Sequence, residues 1–204
     1  MTRSITFIGL CSGVACAVLS VAFTLLLVAD MCGAHIGAFT IVPVLMLAPC
    51  FLLFAAVVLE TAGPDHETWA LTAFGCAIPY AAIVSVNYLM QLTVVRAAPV
   101  RYAWLAMSFA PGSAFCTMEL LGYGWQALSL LAMVPVFHGR TGDVLVRWVF
   151  VVNFLLTLMG GVLFIATQEP MHAVMMASFG FWCLCFPAGM ALAGYSLWRS
   201  NLNA

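Results

Sequence analysis

Glu119 is the residue in this sequence best placed to do chemistry. It stands alone in a stretch, Tyr102 to Gly139, that carries no other charge. A carboxyl group in an apolar segment is costly, and an intramembrane ionisable residue is a functional hypothesis by default. Helical spacing gives it companions. Glu119, Tyr123 and Gln126 fall at i, i+4 and i+7, so they share one helix face. Tyr80, Asn87 and Gln91 share a face of the preceding helix, and Asn153 lies near the middle of the following one. These residues predict a substrate- or ion-binding cluster of Glu119, Asn87, Gln91, Tyr123, Gln126 and Asn153. No catalytic residue and no metal ligand is assigned.

Depth arithmetic supports the grouping. Glu119 lies five residues before Gly124, the middle of its helix, or about 8 Å at 1.5 Å per residue. Asn87 lies six residues beyond Ala81, the middle of the helix before it, or about 9 Å by the same rise. Both fall on the same side of the midplane. Burial disfavours the charged form of a carboxyl, and no basic residue lies inside any span. The expected resting form is a neutral acid that hydrogen-bonds to Asn87 or Gln91. Such a group can load and release a proton, bind a cation, or hold a polar solute. The plainer expectation is interhelical glue, in which each polar pair contributes roughly 0.6–2 kcal/mol.

The elements that position these residues follow from composition. The chain of 204 residues is 65% hydrophobic and 6% charged, whereas a soluble domain averages about 25% charged. Six basic and seven acidic residues are present, and every basic one is Arg. All of these charges except Glu119 sit at the edges of long apolar runs. The solvent for such a chain is lipid, and a span needs roughly 20 apolar residues. The runs predict an all-α, polytopic integral membrane protein of one domain, residues 1–204. It is a six-transmembrane-helix bundle with spans at about 5–29, 37–60, 68–94, 113–137, 146–167 and 171–197. The run 102–139 would be about 57 Å long as one helix, too long for one crossing. Pro111-Gly112-Ser113 breaks it. Residues 102–112 are therefore expected to form a short interfacial or re-entrant segment, and seven membrane segments would result if it dips fully inward.

Arginine placement orients the chain. With both termini cytoplasmic, Arg3, Arg140, Arg147 and Arg199 lie inside, and Arg96 and Arg101 lie outside. Gly9, Gly13 and Ala17 form a small-residue stripe on the first span, and Gly189 with Ala193 forms another on the sixth. Both suit close helix contact in lipid. Pro43, Pro49, Pro79, Pro135 and Pro187 fall within spans, where proline is tolerated.

Several function classes are excluded. Without Lys there is no retinal Schiff base and no Lys nucleophile. Near-neutral charge leaves no footprint for nucleic acid. The eight Cys form no CxxC. No HExxH, GxSxG or Gly-rich phosphate loop occurs. The four His fall in separate loops, so no haem ligand lies deep in a span, and no cofactor is identified. Asp30, His35, Glu60, Asp65, His66, Glu67, His138, Asp143, Glu169 and His172 are read as solvated residues at span ends.

The leading expectation is a small membrane transporter or channel-like protein for a small solute, ion or proton, centred on Glu119. One alternative is an integral membrane enzyme acting on a lipid or isoprenoid. Another is a non-catalytic subunit of a membrane complex. The expected surroundings are the lipid bilayer, with room for a homo-oligomer or membrane-complex partners.

Overall fold

The computed structural model describes residues 3–34, 36–95, 114–138, 141–167 and 173–202. The expected segment 102–112 lies outside the described residues. Six helices account for nearly all of them: α1 (Arg3–Ala29), α2 (Ile41–Thr61), α3 (Glu67–Met90), α4 (Ala114–Met133), α5 (Thr141–Thr167) and α6 (Ala173–Leu202). Their limits fall within a few residues of the expected spans.

Five of the six helices are long and apolar enough to cross a membrane, which marks a multi-pass membrane protein. The sixth, α4, has 20 residues, about 30 Å at 1.5 Å per residue. That length matches the hydrocarbon core, but Glu119 and Gln126 dilute its apolar character. The helix that carries Glu119 is thus the least suited to lipid on its own. It depends on its neighbours to shield one face.

The helices form a closed ring. Each packs against its neighbours in sequence, and α1 against α6 completes the circle. Glycine sets the tightest closure. A Cβ on Gly13 would stand 2.7 Å from the Met190 carbonyl oxygen, and one on Gly194 would stand 3.1 Å from the Gly9 carbonyl oxygen. The α1 stripe therefore does what its spacing predicts. On α6 the contact to α1 uses Gly194, whereas Gly189 meets Val149 of α5. With lipid outside as apolar as the interior, such close backbone approach supplies the packing energy.

Aromatic side chains fill the ring. Phe51 of α2 lies edge-on to Tyr80 of α3 at 5.2 Å between centroids. Tyr123 of α4 lies edge-on to Trp182 of α6 at 5.4 Å, and Trp182 stacks on Phe186 at 5.1 Å. Such pairs add roughly 0.5–1.5 kcal/mol beyond burial. Pro49, Pro79 and Pro187 lie inside α2, α3 and α6. Pro43 is in the first turn of α2, and Pro135 is in the short turn Val134–Val136 that ends α4.

One span-end expectation needs correction. Asp143 is buried, not solvated, and accepts a hydrogen bond from the Ser196 hydroxyl of α6. The first turn of α5 packs against the last turns of α6, which covers this carboxyl. His66 and His138 lie in different loops, as expected, with their rings 4.4 Å apart. The packing of α3 on α4 brings the α2–α3 turn beside the end of α4.

Candidate functional site

Glu119 is positioned from the backbone upward. Gly122 sits one turn further along α4, where a Cβ would stand 2.7 Å from Cγ2 of Val84. Its missing side chain lets α3 and α4 approach closely. Lower down, the Ser129 hydroxyl donates to the Ala73 carbonyl oxygen at 2.7 Å and holds the same interface. One turn past Val84, Tyr88 then reaches the carboxyl. Its hydroxyl donates to Glu119 Oε1 at 2.9 Å.

A second hydroxyl extends this chain. The Tyr88 and Tyr123 hydroxyl oxygens are 3.2 Å apart. A phenol carries one hydrogen. With the Tyr88 hydrogen committed to Glu119, Tyr123 is the donor to Tyr88. The result is a directed relay, Tyr123 to Tyr88 to Glu119, able to pass hydrogen-bond polarisation or a proton along three groups. Glu119 Oε2 is buried with no hydrogen-bond partner. One carboxyl oxygen is therefore anchored and the other is not.

Glu119 also borders a cavity of about 100 Å³ between α4, α5 and α6. Tyr123, Phe179 and Trp182 supply its aromatic wall, and Thr157, Gly160 and Ser178 lie on the far side. Leu120, Tyr123, Thr157 and Gly161 also line a second, larger space of about 660 Å³ between α4 and α5. That groove is almost wholly apolar. Several of its lining residues, including Leu121, Leu158, Val162 and Ile165, are exposed on the outside of the ring. Among neighbouring helices, α4 and α5 pack least closely, and the groove is where they part.

Of the predicted cluster, the structure links Glu119 with Tyr123. Glu119 and Tyr123 are linked through Tyr88, not through Asn87 or Gln91. Asn87 is fully buried, and neither of its amide atoms has a hydrogen-bond partner. Gln91 and Asn153 are buried as well. Gln126 is engaged elsewhere, its Oε1 accepting the indole N–H of Trp182 at 3.1 Å. Tyr88 and Trp182 were missed by sequence reasoning. Both carry a polar tip on a large apolar body, and a buried tip of that kind usually finds a partner.

The eight cysteines are free thiols. Among the described residues, no three His, Cys, Asp or Glu converge on a common point. Comparison with protein families, curated proteins and solved structures finds no match for this chain.

Proposed function

We propose that this protein is a small membrane transporter or channel-like protein whose proton- or cation-binding centre is Glu119. The observation that supports this reading most is the divided carboxyl: Oε1 held by Tyr88, Oε2 buried and unpartnered, with a cavity alongside. A carboxyl anchored on one oxygen keeps its geometry while its other oxygen exchanges a proton for a cation. Asn87, Gln91, Gln126 and Asn153 belong to the same buried polar interior and would serve the path rather than the binding atom. Both termini would face the cytoplasm.

A specific observation favours one other reading. The groove between α4 and α5 faces lipid and shares Leu120, Tyr123, Thr157 and Gly161 with the cavity that Glu119 lines. An integral membrane enzyme acting on a lipid or isoprenoid would use such an opening, with Glu119 as general acid or base. The reading as a docking subunit draws no support from Glu119, which turns toward α3 and the cavity.

Dicyclohexylcarbodiimide tests the transport reading. This apolar reagent couples to protonated carboxyls within membranes. In proteoliposomes it is expected to modify Glu119, to stop proton or cation flux, and to be slowed by a transported cation. Full modification of Glu119 with undiminished flux would overturn the proposal.

A further inference from the structure

The cavity beside Glu119 and the groove between α4 and α5 share four lining residues, so they lie side by side and differ in chemistry. Beside the cavity stands a carboxyl with a buried, unpartnered oxygen. Among the described residues, no Arg or His lines either space. Around it are the rings of Tyr123, Phe179 and Trp182. Tyr123 meets Trp182 at 76°, and Phe179 lies nearly parallel to Trp182 at 12°, so the rings make a corner rather than a flat wall. A carboxylate beside aromatic faces is a setting for a cation, because the ring quadrupole attracts positive charge within about 6 Å of a centroid. An anionic head would meet the carboxylate with no counter-charge among the described residues.

The groove has a different character. Its walls are leucine, valine, isoleucine and phenylalanine from α4 and α5. Gly124 and Gly161 leave depth in it, and a Cβ at either would meet nothing within 4 Å. The inner space, about 100 Å³, is smaller than the roughly 150 Å³ cavity that holds benzene. It suits a compact head group. The groove is several times larger and suits a flexible apolar chain arriving from the bilayer.

We infer that the site binds lipophilic ammonium cations, with the ammonium head between Glu119 and the Tyr123–Trp182 corner and the apolar tail in the α4–α5 groove. This rests on the reading of Glu119 as the cation-binding centre and names the chemical class it takes. Binding exchanges a proton on Glu119 for the cation, so charge in the site is conserved. The ligand reaches the site sideways from lipid.

The test is equilibrium binding of radiolabelled decyltrimethylammonium to the full chain in lipid nanodiscs, with empty nanodiscs subtracted. Saturable excess binding is expected. Glu119→Gln should weaken it at least tenfold. Gly161→Leu, which places a side chain in open space, should also weaken it at least tenfold by filling the groove. Excess decyl sulfate should not compete. Equal binding in Glu119→Gln, or competition by decyl sulfate as strong as by unlabelled decyltrimethylammonium, would overturn the inference. So would undiminished binding in Gly161→Leu, because the tail would then not occupy the groove. Glu119-dependent flux without this binding would sink the ligand class and leave the transport reading intact. Binding without flux would do the reverse.

Discussion

Tyr88 donates its hydroxyl hydrogen to Glu119 Oε1 at 2.9 Å, across the interface between α3 and α4. This bond orients the carboxyl and ties it to Tyr123. A hydrogen bond to a charged group contributes about 1.5–3 kcal/mol, and each 1.4 kcal/mol is about tenfold in an equilibrium constant. Tyr88→Phe keeps the ring and removes the donor. It is expected to lower Glu119-dependent flux about tenfold or more. Loss of stability should stay near 0.6–2 kcal/mol, the range for polar pairs in membranes. Flux in proteoliposomes and denaturant unfolding in detergent read the two effects separately.

The close approach that permits this bond depends on Gly122. Its Cβ would meet a valine methyl, a group that can yield slightly, whereas the Cβ of Gly13 would meet a backbone carbonyl, which cannot. Gly13→Ala is therefore expected to destabilise the fold more than Gly122→Ala, with overpacking costs typically about 1–3 kcal/mol. Gly124→Ala should be close to neutral, since nothing lies within 4 Å of its added carbon. Thermal unfolding of the three variants in detergent tests the order.

Trp182 and Gln126 form a buried pair whose members need one another. Trp182→Phe leaves the Gln126 Oε1 without its donor, at a cost of about 1–3 kcal/mol. Replacing both partners by apolar groups can be nearly neutral. Trp182→Phe with Gln126→Leu is thus expected to recover part of the stability that Trp182→Phe alone loses. Denaturant unfolding of both single variants and the double variant checks this, and strict additivity would contradict it.

Asp143 depends on Ser196 in the same way. Ser196→Ala should destabilise by about 1–3 kcal/mol, because a buried carboxyl oxygen loses its donor. In Asp143→Asn a carbonyl oxygen still accepts, so the loss should be smaller. Unfolding midpoints of the two variants decide it.

The spans were legible because charge is so scarce: five gaps between edge charges had the length of one crossing and each holds one helix, while the longer run 102–139 holds α4. Glu119 was legible for the same reason, as a single carboxyl in a long apolar stretch. The Gly9–Gly13 stripe also read correctly, since only small residues allow two backbones to touch. Tyr88 did not read. Adjacent residues on a helix point about 100° apart, and counting from Asn87 and Gln91 turned attention to the neighbouring face. Which of two adjacent faces meets α4 is set by Gly122 and Val84, a contact between helices that spacing within one helix does not encode. The His66–His138 contact and the burial of Asp143 arise where α3 packs on α4 and α5 on α6, so they too depend on contacts distant in sequence. The groove between α4 and α5 is a gap between two helices, and neither helix alone signals it.

The central claim is that Glu119 is the exchanging group. Proton and cation flux in proteoliposomes, measured across a series of pH values for the wild type, Glu119→Asp and Glu119→Gln, tests it most directly. The account predicts pH-dependent flux in the wild type and reduced but still pH-dependent flux in Glu119→Asp. It predicts loss of at least nine-tenths of the flux in Glu119→Gln, on the order of the 1.4 kcal/mol that separates a tenfold difference. Flux in Glu119→Gln equal to the wild type in both size and pH dependence would contradict it.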